Sequence, residues 1–159
     1  MEIDTGNTAW VLASAALVLF MTPGLAFFYA GMVRSKNVLG MLMQNYVAMG
    51  VVGVLWALVG FSLAFGDGGD FIGNFDFVGL KDLATMAPVV ENGPNLPGYI
   101  LTGELDYGLT IPVLAFAAYQ MMFAIITPAL FTGATADRLK FRGYLAFIAL
   151  WSVLVYSPV

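Results

Sequence analysis

Apolar positions in this chain are gathered into four long runs, roughly Thr8 to Val33, Val38 to Phe65, Leu109 to Ala136, and Gly143 to the last residue, Val159. At 1.5 Å per residue the first run makes a helix of roughly 40 Å, enough to cross a ~30 Å hydrocarbon core with tilt. The pattern predicts an all-α integral membrane protein with about four transmembrane helices (8–33, 38–65, 109–136 and 143–159). The last run reaches only about 25 Å and no polar anchor follows it. The sequence is therefore expected to be the start of a longer chain.

The polar stretches between the runs have opposite signs. Arg34, Lys36, Arg138, Lys140 and Arg142, five of the six basic residues, sit in the two short links, 34–37 and 137–142. The long connection 66–108 holds seven acids (Asp67, Asp70, Asp76, Asp82, Glu91, Glu104 and Asp106) and a single lysine, Lys81. Basic residues near helix ends favour the cytoplasm, so the expected topology is N-terminus outside, basic links inside and acidic loop outside. The start, Met1-Glu2-Ile3-Asp4, lacks the basic n-region of a secretory signal, and the first run is too long for an h-region. It reads as a retained spanning helix.

Composition narrows the chemistry. Hydrophobic residues make up 60% of the 159 and charged residues 10%, against about 25% charged in a soluble domain. Lipid must be the solvent for much of the surface. There is no cysteine and no histidine, so thiolate chemistry and the commonest general base are both missing. The predicted helices hold no internal Lys, Arg, Asp or Glu. Gln44, Asn45, Gln120 and scattered hydroxyls alone break the runs. This argues against a carboxylate proton relay or a voltage sensor, and an intramembrane enzyme would find no nucleophile–base pair. In the acidic loop, Asp67, Asp70, Asn74 and Asp76 invite comparison with a calcium loop, but their spacing is not that of an EF-hand. Gly66-Asp67-Gly68-Gly69-Asp70 and Glu91-Asn92-Gly93-Pro94-Asn95-Leu96-Pro97-Gly98 read as turns in a surface loop. No metal or cofactor is expected.

Two helices carry further signals. In the first, Pro23 and Gly24 interrupt the regular backbone, which in a membrane survives where neighbours or a cavity satisfy the freed groups. Ala26 with Ala30, and Gly53 with Ala57 on the second helix, are small-xxx-small pairs suited to close packing. In the third, Phe116, Tyr119, Gln120, Phe123 and Thr127 fall within an arc of roughly 100°. That face of aromatics, an amide and a hydroxyl suits either helix packing or attraction of a cation to ring faces.

The segments Ala9-Trp10, Met21 to Arg34 (MTPGLAFFYAGMVR) and Lys36-Asn37, then Tyr119 to Leu130 (YQMMFAIITPAL) continuing through Thr132-Gly133-Ala134 to Ala136-Asp137-Arg138, then Leu150-Trp151-Ser152 and Val155 to Val159 resemble the ammonium transporters (the Amt/Mep/Rh family), Amt branch. They stand in that family's order and spacing and cover nearly the whole chain, the outer loop least. The resemblance implies that residues 1–159 are the N-terminal part of one membrane domain, the start of an eleven-helix inverted-repeat fold that packs as a homotrimer. It implies that Phe123 is the outer phenylalanine of a paired aromatic gate, that Tyr119 lines the vestibule beside Gln120, and that Tyr29 faces the inner pore. Ala30 stands where many members have glycine. A binding-site tryptophan, an acidic residue and two pore histidines of the family would lie beyond Val159.

The function so implied is passage of ammonium or ammonia across the cell membrane. The alternative is an ammonium-sensing membrane domain coupled to a cytoplasmic signalling module, which the first four helices do not separate from a transporter. Arg34, Lys36, Arg138, Lys140 and Arg142 read first as topology and lipid-headgroup contacts. The resemblance adds a PII-type regulator that meets them at the inner pore mouth. No nucleic-acid partner is expected.

Overall fold

A computed structural model describes residues 3–66, 72–83 and 111–158. Every regular element among them is helical. Helix α1 spans Thr5–Met32. It starts three residues ahead of the apolar run because Asp4 caps it, its carboxylate accepting from the Asn7 amide at 2.6 Å. It ends where Val33 turns extended, and a short 3-10 turn, Ser35–Asn37, leads into α2, Val38–Leu55. A π turn, Trp56–Gly60, carries that rod on into a final short helix, α3, Phe61–Phe65. Helix α4 spans Val113–Thr135, and the expected start at Leu109 lies outside the described residues. Asp137, with φ of 60°, reverses the chain in the left-handed region that aspartate tolerates. Helix α5, Phe141–Trp151, then runs into a second π turn, Ser152–Tyr156. Most of the acidic loop, including Asp67, Asp70, Glu91, Glu104 and Asp106, is likewise outside the described residues.

Three of these rods, Thr5–Met32, Ser35–Phe65 and Val113–Thr135, are long and apolar enough to cross a membrane, and Phe141–Tyr156 is a shorter apolar one. Large apolar side chains face outward as well as into the core, where Val52, Phe61, Val113 and Ile148 are buried. Trp10, Leu17, Phe20, Phe27, Met32 and Leu39 point outward, each more than 60% exposed, whereas Thr22, Asn45, Ser62 and Thr132 are fully buried. Lipid tails are as apolar as leucine, so aliphatic side chains can remain outside without penalty. The closest helix contacts are made by small residues. Ala26, Ala48, Ala117, Ala124 and Ala129 are at most 1% exposed. Gly53 lies against Ile125 and Met121 of α4. Helix α1 packs on α4 and α2, and α2 also carries α5.

Polar groups staple the rods where they are dry. Asn45 Nδ2 donates to Thr132 Oγ1 at 3.2 Å and to the Met41 carbonyl at 2.9 Å, while Thr132 donates to the Ala129 carbonyl at 2.7 Å. The Trp56 indole donates to the Ala117 carbonyl at 3.2 Å. Its ring stacks edge-on with Phe61, Phe65 and Tyr156. In α3, Ser62 Oγ donates to the Asn74 carbonyl and accepts from the Phe77 amide, at 2.9 and 3.0 Å. That pins the described part of the loop to the helix end. Asn74 and Asp76, two members of the imagined calcium loop, hydrogen-bond each other.

Candidate functional site

The aromatic face of α4 divides in the folded chain. Phe116 turns toward α3, its ring 5.3 Å from that of Phe65, and so belongs to the packed aromatic cluster. Tyr119 and Phe123 pair with each other instead, centroids 5.1 Å apart and planes at 77°. Both are half-buried. One turn apart on a helix, they meet because side chains at i and i+4 share a face. The edge-to-face arrangement holds the two rings in register and is worth about 0.5–1.5 kcal/mol beyond area burial. Gln120 is half-buried beside them. One turn further, the Thr127 hydroxyl donates to the Phe123 carbonyl at 2.7 Å. Tyr156, on the π turn of α5, lies beside Thr127.

Tyr29 is placed elsewhere. Its hydroxyl donates to the Leu130 carbonyl at 3.3 Å, and its ring lies over Gly133. Leu130 is seven positions beyond Phe123 on α4, about 10 Å along the axis. The structure therefore brings Tyr119, Gln120 and Phe123 together and sets Tyr29 against the lower part of the same helix.

The five basic residues gather at one end of the bundle, where the Asn37 amide hydrogen-bonds the Asp137 carboxylate and ties the two short links together. Lys36, Arg138 and Lys140 line a cavity of about 330 Å³ there, with Val33, Gly40 and Gln44 in its wall. Arg34 and Arg142 stand outside it.

Sequence reasoning singled out Asn45 only as a break in an apolar run, met Thr132 and Gly133 only within a segment that carries the family resemblance, and passed over Trp56. Asn45 and Thr132 are 87 positions apart, so their pairing leaves no local trace. A lone amide or threonine in an apolar helix was the one available cue.

Three long apolar rods with outward aliphatic and aromatic side chains and dry polar staples define an integral membrane protein of the α-helical class. Residues 9–159 match the model of the Ammonium Transporter Family. The chain belongs to that family. It is 52% identical over 158 residues to the ammonium transporter of Mycobacterium tuberculosis, which covers 98% of this chain and 32% of that protein. Among solved structures it is similar to Saccharomyces cerevisiae Mep2, with a TM-score of 0.78 and 30% identity over 99% of this chain and 32% of that one. It is also similar to a structure described as a sensor Amt protein, with a TM-score of 0.78 and 25% identity over 96% of this chain and 32% of that one. The chain thus spans about a third of the length of these relatives.

Proposed function

We propose that this chain is the N-terminal part of the membrane domain of an ammonium transporter, with Tyr119 and Phe123 at its outer gate, Gln120 beside them, and Tyr29 on the inner part of the pathway. The observation that carries the reading is the half-buried, edge-to-face Tyr119–Phe123 pair on a long helix free of charged side chains. Each ring face attracts a cation by about 0.5–2 kcal/mol. Taking a bare ion into an apolar channel costs several kcal/mol even after relaxation. Two rings therefore hold ammonium at the mouth without drawing it through. Ammonium escapes the barrier by giving a proton to water, the proton passing separately, and neutral ammonia then crosses a narrow apolar pore that a dehydrated metal ion does not enter. In this reading the chain is not an enzyme, the N-terminus is outside, the complete protein is a homotrimer, and a PII-type regulator meets the basic links.

The test uses the complete protein in proteoliposomes. Phe123→Ala should change ammonium uptake and selectivity while leaving detergent sizing and unfolding near wild type. A well-folded variant with wild-type transport kinetics would overturn the gate assignment.

The likeness to a sensor Amt protein favours one second reading, a membrane domain that binds ammonium and signals to a cytoplasmic module. Ammonium binding without measurable flux by the complete protein would select it.

A further inference from the structure

The two π turns, Trp56–Gly60 and Ser152–Tyr156, pack against each other. The Trp56 and Tyr156 rings are 6.2 Å apart, and a Cβ built on Gly60 would stand 3.3 Å from the Ser157 hydroxyl oxygen. A π turn is rare inside helices and recurs at functional sites. Between these two lies a cavity of about 10 Å³, walled by Trp56 and Gly60 from the first turn, by Ser152, Tyr156 and the adjoining Ser157 from the second, and by Ala124 of α4. A bound water needs about 10–15 Å³ of such space and about two to four polar partners.

The wall supplies those partners. Ser152 and Ser157 are both buried. Their hydroxyls donate to carbonyls of their own helix, Ser152 to Ala149 at 3.0 Å and Ser157 to Ser152 at 2.9 Å. With their protons committed, both oxygens keep lone pairs that accept. Ala124 brings a third acceptor. In a regular helix its carbonyl would bond the amide of residue 128, which is Pro128 and has no N–H to give. In membrane helices such freed groups are met by side chains, π adjustments or ordered water, and Ala124 is only 1% exposed, so bulk solvent does not reach it. The Trp56 indole is committed to the Ala117 carbonyl. The cavity thus calls for an occupant that donates. No charged side chain is among the described residues of the wall, and a cation there would be buried without a counter-charge. The fitting occupant is neutral, and the volume admits nothing larger than a water.

We propose that this cavity binds one neutral hydrogen-bond donor of water's size, water itself or ammonia, held by the Ser152 and Ser157 hydroxyl oxygens and the Ala124 carbonyl, and joining α4 to the two π turns. The site is separate from the Tyr119–Phe123 pair and does not depend on that pair being a gate.

The structure of the complete protein would be determined in ammonium-free buffer, at a resolution that shows other buried waters, and again with ammonium chloride at alkaline pH, where ammonia is abundant. A density peak within hydrogen-bond distance of Ser157 Oγ in the first structure supports the site and identifies water. A peak in the second alone supports it and identifies ammonia. A peak in neither overturns the proposal. Gly60→Ala places a methyl group 3.0 Å from the Trp56 ring and 3.3 Å from Ser157 Oγ, so it should fill the cavity and abolish the peak. Ser157→Ala, which leaves Gly60 and its surroundings in place, serves where Gly60→Ala does not fold. It should lower the occupancy roughly twofold or more, since a buried water is held by only a few partners. An undiminished peak in either folded variant would also overturn the proposal.

Discussion

The ring of Tyr29 fills the space that any side chain at position 133 would need. A Cβ built on Gly133 would stand 2.8 Å from Tyr29 Cζ and 3.1 Å from its hydroxyl oxygen. Glycine at 133 is what lets a tyrosine on α1 lie flat on α4 and reach the Leu130 carbonyl. Gly133→Ala should therefore displace the ring and cost about 1–3 kcal/mol, the usual range for overpacking. Denaturant unfolding of the complete protein in detergent would measure it. If Tyr29 lines the inner pathway, transport should fall as well, and Tyr29→Phe, which keeps the ring and loses only the long hydrogen bond, should be nearly silent in stability.

Asn45 and Thr132 should be energetically coupled. Thr132 keeps its bond to the Ala129 carbonyl when Asn45 is removed, but Asn45→Ala also gives up the bond to the Met41 carbonyl, so the link between α2 and α4 is isolated only by a cycle. A double-mutant cycle of Asn45→Ala and Thr132→Val should give about 0.6 kcal/mol and at most about 1.7, the mean and maximum for interhelical hydrogen bonds in a membrane protein. Strictly additive unfolding energies would show that the link adds nothing.

Trp56 combines a hydrogen bond with ring packing, and two substitutions separate them. Trp56→Phe removes the indole donor to the Ala117 carbonyl and should cost about 1 kcal/mol. Trp56→Ala also empties the space among Phe61, Phe65 and Tyr156 and should cost about 3–5 kcal/mol. Equal losses in thermal or denaturant unfolding would mean that the bond, not the ring, fixes this junction.

Gly73 lies where the loop backbone meets the end of the second rod. Its amide donates to the Leu63 carbonyl at 2.7 Å, and a Cβ there would stand 2.4 Å from the Ser62 carbonyl oxygen. The obstacle is backbone, which has little room to yield. Gly73→Ala should release this part of the loop and speed hydrogen exchange at the Phe77 amide, which Ser62 otherwise holds. Unchanged protection at Phe77 would show that the contact is not needed to seat the loop.

What the sequence determined by itself is the solvent and the class of the protein. Crossing a hydrocarbon core needs about 20 successive apolar residues with their backbone groups paired internally, and both requirements are written locally. The runs, the charge sign of the links and the boundary at Asp137 are local properties of this kind. So is the family resemblance, carried by contiguous segments such as Tyr119 to Leu130. The aromatic face of α4 was legible as a face, because 3.6-residue periodicity is also local. Only the tertiary structure divided it, giving Phe116 to Phe65 and leaving Tyr119 with Phe123. Only the tertiary structure brought Asn45 to Thr132, Tyr29 to Gly133, and Lys36 to the same cavity as Arg138 and Lys140. Those partners lie about a hundred positions apart, and nothing in either segment encodes the other. They meet because small residues let α1, α2 and α4 approach closely, and the depth and rotation of that packing select which side chains face each other.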